Sequence, residues 1–198
     1  MTGTENSQVP VSAIILAGGR ASRLGGVPKS DIAIGGAPML DRVVAACWDH
    51  GIGDLVVVGD LSCPYRTVCE DPPRSGPANG ILAGLGAIGG TWTLLLSCDI
   101  PFIAGALPDL LAGRQNEGAC IGGQRPQYLA GIYRTDALRR ACADLAAERD
   151  GTLVGAPVHA LIAKLDITVL PPSDAAADVD TWEDVARARQ VAAEEQRR

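Results

Sequence analysis

Apolar runs of strand length alternate along the chain with stretches in which apolar residues recur at helical spacing. The runs, bounded by turn residues, predict buried strands over 11–16, 55–58, 67–69 and 92–97, with later strands over 119–121 and 128–133. Helical spacing predicts helices over 40–48, 79–88, 107–113 and 136–147, and a last helix from residue 181. Because strands and helices alternate, the pattern predicts an α/β fold with a mostly parallel central sheet flanked by helices.

Length and composition narrow this picture to one folded domain. The chain has 198 residues, of which 47% are hydrophobic and 20% charged, and this balance excludes intrinsic disorder. We expect a single domain over 1–198, with residues 1 to about 9 and 192–198 frayed because neither end carries enough apolar surface. The formal net charge of -6 has the wrong sign for a broad phosphate-backbone footprint, so nucleic acid is not an expected partner.

The six cysteines are scattered, with no Cys-x-x-Cys pair. A chain with its own core gains little from disulfides, so we expect reduced and mostly buried thiols. Cys98 is interpreted as a packing residue, because the neighbouring Asp99 raises the pKa of a thiol and makes it less nucleophilic. The polar amino-terminal segment has no cationic region, and no apolar run approaches membrane-spanning length. We therefore expect a cytoplasmic protein without membrane contact.

The segment LAGGRASRLGGVPKS, residues 16–30, follows the first predicted strand. Its Gly18-Gly19 pair lets the backbone approach a ligand closely and exposes N–H groups to an anion. Arg20, Arg23 and Lys29 place three cations near that loop, which favours a phosphate cradle over an ordinary turn with solvated arginines. The spacing is not that of a P-loop, since a proline instead of a glycine precedes the lysine, and it is not the dinucleotide fingerprint.

Two acidic positions are candidates for holding a metal ion. Asp99 ends the buried strand in LLLSCDIPFI, which places a carboxylate at the edge of the sheet where open α/β folds bind ligands. Mg²⁺ is commonly held by one or two carboxylates together with phosphate oxygens and water. Asp178 and Asp180 are two residues apart in an extended segment, and Asp180 is the candidate second carboxylate. Capping of the last helix by Asp180 or Thr181 is the competing explanation.

A third acidic position lies in EDPPRSGPANGILAGL, residues 70–85. Asp71 ends a short strand, and the Pro/Gly-rich loop after it opens a helix at about Pro77. A carboxylate here suits the two adjacent N–H donors of guanine, because one acidic group accepts from both. A turn acid beside prolines explains Asp71 equally well.

Five segments occur in the order found in molybdenum cofactor guanylyltransferases: LAGGRASRLGGVPK, SGPANGILAGL, SCDIPFI, RPQYLAGIYR and DVDTWEDV. The chain resembles that family over roughly residues 11–190. The resemblance implies a Rossmann-like nucleotidyltransferase fold and transfer of GMP from GTP, with Mg²⁺, to the terminal phosphate of the molybdopterin cofactor. GTP and the molybdopterin cofactor are then the substrates, with transient contacts to proteins that donate or receive the cofactor.

The resemblance also implies roles for individual residues. GTP would be bound by the segment Leu16, Ala17, Gly18 and Gly19 together with Lys29, and Asp71 would contact the nucleotide. Asp99 would bind both nucleotide and magnesium, and Arg23 matches the arginine of the family's loop. Arg23, Lys29 and Asp99 are the predicted catalytic residues, since neutralising the triphosphate and positioning its α-phosphate lower the barrier. The segment RPQYLAGIYR resembles the one that carries the acceptor side in the family, but the resemblance assigns no individual acceptor residue.

The pair Asp178 and Asp180 departs from the family, which usually has Asn-x-Asn at these positions. An acidic pair looks more like the related cytidylyltransferases and sugar nucleotidyltransferases. Three alternatives therefore stay open: a cytidylyltransferase, a nucleotidyltransferase that acts on a different phosphate, and a nucleotide-binding regulator without turnover.

Overall fold

The computed structural model describes residues 9–18 and 24–197. Its nine strands within those residues are β1 (Val11–Leu16), β2 (Ala33–Ile34), β3 (Ala37–Pro38), β4 (Leu55–Val58), β5 (Thr67–Val68), β6 (Trp92–Ser97), β7 (Gly118–Gly122), β8 (Gln127–Arg134) and β9 (Ile167–Pro172). The α-helices in the same ranges are α1 (Met39–Asp49), α2 (Pro77–Leu85), α3 (Leu107–Ala112), α4 (Thr135–Ala147), α5 (Val158–Ile162) and α6 (Trp182–Glu195).

Seven of the strands form one sheet in the order β5-β4-β1-β6-β8-β7-β9, and β2 with β3 forms a small antiparallel hairpin. In the seven-stranded sheet, β8 runs antiparallel to both of its neighbours, and the other pairings are parallel. The predicted mostly parallel α/β sheet is therefore confirmed. The carboxyl ends of β4, β1 and β6 lie side by side at one edge of the sheet.

Side chains alternate between two cores on opposite faces of the sheet. Ile15 and Leu94 point to the face covered by α1 and α3, whereas Ile14 and Leu95 point to the face covered by α2, α4 and α5. A third cluster joins α6 to the β2–β3 hairpin, with Ile34 in it. Because strands buried on both faces are apolar along their whole length, β1 and β6 read as continuous hydrophobic runs.

The predicted elements occur within a few residues of their expected bounds, and three elements were missed. The missed elements are the β2–β3 hairpin, α5 and β9. The hairpin strands have two residues each, and α5 has five, so neither gives a readable period. β9 is an edge strand with no fully buried residue, in which each half-buried residue is followed by two exposed ones, and it ends in two prolines, which sequence rules associate with loops.

The expected fraying of residues 192–198 is wrong for most of that segment. Helix α6 continues to Glu195, and Ala192 is only 1% exposed. The Gln196 Nε2 atom donates a hydrogen bond of 3.1 Å to the carbonyl oxygen of Gly35. Burial of Ala192 and this hydrogen bond together attach to the hairpin a terminus that looks polar in sequence. Residues 1–8 at the other end lie outside the described residues.

All six cysteines are free, and four of them are buried: Cys47, Cys98, Cys120 and Cys142. This confirms the expectation of mostly buried thiols without bridges. Within the described parts of the chain, no helix is both long and apolar enough to cross a membrane.

Candidate functional site

The loop after β1 begins at the carboxyl edge of the sheet. Leu16 ends the strand, and the Ala17 N–H donates to the carbonyl oxygen of Val58 at 2.9 Å, so the loop starts out alongside the end of β4. Gly18 and Gly59 touch there, since a Cβ atom on Gly59 would lie 3.1 Å from the Gly18 nitrogen. The backbones of these two loops therefore lie close together, and close approach of Gly18 to a ligand stays a prediction. The other loop residues predicted to meet phosphate lie outside the described residues: Gly19, Arg20 and Arg23.

Lys29 lies in a short 3₁₀ turn, residues Lys29–Asp31, and its ammonium group joins two carboxylates. The Nζ atom donates to Asp99 Oδ2 at 2.7 Å and also to Asp180 Oδ1. Burial alone lowers the pKa of Lys29, but the charges and hydrogen bonds of Asp99 and Asp180 raise it well above its ordinary value. The structure thus brings together three predicted site residues that are 70 and 151 positions apart in sequence.

Two backbone features hold the carboxylates in place. Asp99 lies in the turn directly after β6. Its carbonyl oxygen accepts a 2.9 Å hydrogen bond from the Val179 N–H, which ties the segment around Asp180 to the sheet. Thr181 caps α6 in a reciprocal arrangement with Asp184, as the sequence predicts. The backbone of Asp180 is therefore held on one side by the hydrogen bond of Val179 to the sheet and on the other side by the cap of α6.

Asp178 lies two residues before Asp180 and forms no ion pair or hydrogen bond with Lys29. Partial burial, and then the negative charges of Asp180 and Asp99, raise the pKa of the Asp178 carboxyl. The nearby carboxylates of Asp180 and Asp99 contribute less to this shift of the Asp178 pKa than burial does.

The donor set suits magnesium when a phosphate completes it. Asp99 and Asp180 both lie within hydrogen-bonding reach of one ammonium group, so their oxygens are near enough to share a small cation. In the described ranges, no group of three or more His, Cys, Asp or Glu side chains is arranged to hold a metal. Mg²⁺ takes hard oxygen ligands and keeps water or phosphate oxygens in its shell, so two carboxylates are sufficient on the protein side.

Asp71 is separated from this cluster. It is exposed at the end of β5, three strands away from β6, which corresponds to about 14 Å at the usual strand spacing. Its loop is held by Asn79 in the first turn of α2, whose Nδ2 atom donates to the Asp71 carbonyl oxygen at 3.0 Å and to Ser75 Oγ at 2.7 Å. A ligand that contacts both Asp71 and Lys29 must therefore extend along the edge of the sheet.

Two residues that hold this loop were not predicted from the sequence: Asn79 in the first turn of α2, and Glu70 in the loop itself. Glu70 is 8% exposed, and its Oε1 atom accepts from the Arg74 N–H at 2.9 Å. A usable signal for Asn79 was present, because a polar side chain two residues after a helix-opening proline faces back onto the preceding loop. No sequence pattern distinguishes Glu70 from the exposed Asp71 beside it.

Cys98 is buried, with 4% of its surface exposed. Burial, and then the charge of Asp99, raises the pKa of the Cys98 thiol to about 12. The interpretation of Cys98 as a packing residue is confirmed, because such a thiol is protonated at neutral pH and inaccessible to substrates.

A mostly parallel sheet with a glycine loop, a lysine and paired carboxylates at its carboxyl edge defines an α/β protein of the class that binds nucleoside phosphates. Comparison with known proteins narrows this class. Residues 13–170 match the family model described as the MobA-like NTP transferase domain. A relative named molybdenum cofactor guanylyltransferase, from Cereibacter sphaeroides, is 31% identical over 193 residues, covering 90% of this chain and 95% of the relative. The chain belongs to the MobA-like NTP transferase family and is a nucleotidyltransferase.

Two solved structures share the fold. Molybdopterin-guanine dinucleotide biosynthesis protein A from Archaeoglobus fulgidus has a TM-score of 0.68 and 16% identity, covering 92% of this chain and 99% of the other. The 2-C-methyl-D-erythritol 4-phosphate cytidylyltransferase from Thermus thermophilus has a TM-score of 0.69 and 18% identity, covering 93% and 99%. The Rossmann-like nucleotidyltransferase fold is therefore confirmed. The nearly equal scores mean that fold alone does not select the base.

Proposed function

We propose that this protein transfers GMP from GTP to the terminal phosphate of the molybdopterin cofactor, giving a guanine dinucleotide and pyrophosphate. The observation that carries the proposal is the meeting of Lys29, Asp99 and Asp180 beside the glycine loop. Membership of the MobA-like family and the 31% identity to a guanylyltransferase support the choice of substrates.

The proposed reaction is an in-line displacement without a covalent enzyme intermediate. An oxygen of the acceptor phosphate forms a bond to the α-phosphorus of GTP, while the bond from that phosphorus to the bridging oxygen breaks and pyrophosphate leaves with the electron pair. Both reactants are anionic, so the protein lowers the barrier by holding them together and by neutralising charge. In a chain with a net charge of -6, a few local cations must do this.

We assign the parts as follows. The backbone of the segment Leu16, Ala17, Gly18 and Gly19 receives the triphosphate, Lys29 and Arg23 neutralise it, and Asp71 contacts the base. Asp99 and Asp180 are the proposed ligands of Mg²⁺, which when bound supplies positive charge against the α-phosphate. Lys29 now pairs with those same carboxylates, so binding of the magnesium nucleotide requires its ammonium group to move from them to phosphate oxygens.

A cytidylyltransferase is the second candidate, and the acidic residues Asp178 and Asp180 are the observation that favours it. The resemblance of SCDIPFI and SGPANG to the guanylyl branch is the reason for preferring GTP. A nucleotidyltransferase that acts on another phosphate would release pyrophosphate with a different acceptor. A regulator that binds nucleotide without turnover would not release pyrophosphate with any acceptor. The cytoplasm is the location we propose, with transient contacts to proteins that supply or receive the cofactor.

The test is a thermal-shift panel of GTP, CTP, UTP and ATP with and without Mg²⁺, followed by pyrophosphate release with GTP and the cofactor. We expect a GTP-selective shift that needs Mg²⁺, because a ligand of the native state stabilises it by mass action. Asp99→Asn should retain the fold and lose at least 100-fold in turnover, whereas Asp144→Asn on the exposed face of α4 should match wild type. Near-normal turnover of Asp99→Asn contradicts the metal assignment, and a CTP-selective shift favours the cytidylyl candidate.

A further inference from the structure

Arg42, near the start of α1, contacts two parts of the chain that lie far from it in sequence. Its Nε atom donates to the Pro101 carbonyl oxygen at 3.0 Å, and its Nη2 atom pairs with Glu195 Oε2 at 3.3 Å. The guanidinium carbon lies 4.9 Å from the centroid of the Phe102 ring. The side chain is only 22% exposed. It therefore joins α1 to the segment after β6 and to the end of α6.

The segment after β6 also carries Asp99. The Asp99 carbonyl oxygen accepts the 2.9 Å hydrogen bond from the Val179 N–H, and Asp180 is the next residue along the chain. Phe102 packs against the apolar cluster that contains Val179 and residues of α6. The guanidinium group thus holds the stretch of chain whose position relative to Val179 sets the distance between the two carboxylates.

The turn that carries Lys29 is attached to the same end of α1. The Met39 N–H donates to the Ile32 carbonyl oxygen at 2.9 Å, and the Ile32 N–H donates to the Lys29 carbonyl oxygen at 3.2 Å. A Cβ atom on Gly35 would lie 3.2 Å from Arg42 Nη1, so the turn of the β2–β3 hairpin lies directly against the guanidinium group. The three segments that supply the lysine and the two carboxylates are therefore all joined near the start of α1.

Two of the Arg42 contacts account for most of this hold. The ion pair with Glu195 contributes little, because Glu195 is 55% exposed and pairs at the surface are weakened by water. The cation is attracted by the Phe102 ring, and the planar guanidinium can stack on a ring while it donates in its own plane to the Pro101 carbonyl oxygen. Because these contacts act on adjacent residues, they fix the segment itself.

We propose that Arg42 is a positioning residue of the candidate site, which keeps the carboxylates of Asp99 and Asp180 close enough to share one cation. Two carboxylates repel each other, so their separation stays small only if the backbone segments that carry them are held. Mg²⁺ requires near-ideal octahedral geometry, so a shift of either carboxylate weakens the site. Residues that orient metal ligands therefore affect metal affinity without touching the metal. The inference rests on the proposed function, which assigns Mg²⁺ to these carboxylates.

Amide hydrogen exchange of the whole protein, followed by nuclear magnetic resonance, tests the positioning without any metal. In Arg42→Gln, the Val179 N–H should exchange about tenfold faster than in wild type, in excess of any change at the Ile15 N–H of the central strand, which reports global opening. Arg189→Gln is the matched control, because the Arg189 Nε atom also donates to a carbonyl oxygen, that of Ala33, at 3.1 Å. It should leave the exchange of Val179 as in wild type.

A conservative variant keeps the test open if Arg42→Gln does not fold. Arg42→Lys retains a positive charge over the Phe102 ring but has no planar group that stacks and donates at once. The Val179 N–H in Arg42→Lys should exchange at a rate between those of wild type and Arg42→Gln.

Mn²⁺ binding, measured by electron paramagnetic resonance, tests the effect on the carboxylates. Arg42→Gln should bind Mn²⁺ at least threefold more weakly than wild type, and Arg189→Gln should not bind it more weakly. Loss of a positive charge by itself would tighten the binding of a cation, so the sign of the change separates positioning from simple charge repulsion.

The combined outcomes separate this proposal from the proposed function. Faster exchange confined to Val179, with weaker Mn²⁺ binding, supports the positioning role. Equal acceleration at Val179 and Ile15 in the Arg42 variants, or Mn²⁺ binding by Arg42→Gln that equals or exceeds that of wild type, overturns it. Faster exchange confined to Val179 in a protein that binds no Mn²⁺ even as wild type contradicts the metal assignment and still supports the hold of Arg42 on the two segments.

Discussion

The contacts of the Lys29 ammonium group would differ more than those of any other residue between the free site and the site with bound magnesium nucleotide. Its side chain is only 20% exposed, and its ammonium group is shared by two carboxylates from distant parts of the chain. Two acidic side chains so near each other repel unless a cation lies between them. In the free protein Lys29 fulfils that role, and it therefore competes with any metal ion for the same oxygens.

Replacing Lys29 with Met should expose this competition. We expect Lys29→Met to bind Mn²⁺ at least fivefold more tightly than wild type in the absence of nucleotide, because the carboxylates lose their resident cation. Electron paramagnetic resonance of free Mn²⁺ measures the affinity directly, without any turnover. Lys164→Met, which removes an ammonium group paired with Glu148 at 2.8 Å outside the site, is the control and should not change Mn²⁺ binding. Equal or weaker binding by Lys29→Met contradicts the competition.

At the scale of elements, α2 sets the geometry of the loop that carries Asp71. The helix packs very closely on β1, since a Cβ atom on Gly84 would lie 2.8 Å from Ile14 Cγ2. The glycine-rich part of this helix therefore lies directly against the sheet. The glycines have a steric reason here, because no larger residue fits between the helix and a fully buried isoleucine.

Gly84→Ala should therefore destabilise the protein although alanine is the better helix former. The gain in helix propensity is about 1 kcal/mol, and overpacking of a close-packed core costs about 1 to 3 kcal/mol, so we expect a net loss of about 1 kcal/mol. Chemical denaturation measures the free energy of unfolding. Gly89→Ala, where a Cβ atom would meet nothing within 4 Å, should change stability by much less. A stabilised Gly84→Ala variant would mean that α2 lies farther from β1 than described.

At the scale of the whole molecule, the fold keeps several thiols in the protonated form. Burial raises the pKa of Cys47 to about 12, and its side chain is inaccessible to solvent. The ordinary value, near 9, applies in the unfolded chain. Stability from this group is therefore complete below about pH 9 and is lost as the pH rises toward 12, because only the unfolded state releases the proton in that window.

The unfolding free energy should fall between pH 8.5 and 10.5, under reducing conditions, and Cys47 should account for about 2 kcal/mol of the loss. Chemical denaturation at the two pH values gives the change. Cys47→Ala begins less stable because of the cavity, yet it should lose less than wild type over this interval. Cys69→Ala, at an exposed position, should keep most of the wild-type loss. The same pH dependence in Cys47→Ala and wild type would contradict this account.

Much of the fold follows from the sequence, because its signals are local. The continuous apolar runs predict strands β1 and β6, and the helical period predicts α1. The folded structure contains all three elements. The Thr181 cap and the burial of Cys98 follow in the same way, from one residue and its immediate neighbours. Sequence could also propose Asp99 and Asp180 separately, since each follows a recognisable strand or precedes a recognisable helix. The single-domain assignment and the residue roles in catalysis stay predictions.

Only the tertiary structure decided which of those residues meet. The strand order brings Lys29, Asp99 and Asp180 into contact across long stretches of chain, and leaves Asp71 three strands away. The tertiary structure also makes β8 antiparallel to its neighbours and places the β7–β8 turn and α5 around a cleft. It buries Ala192 against the hairpin. The physical reason is that strand pairing and side-chain packing depend on neighbours distant in sequence, whereas hydrophobic period and capping depend only on residues a few positions apart.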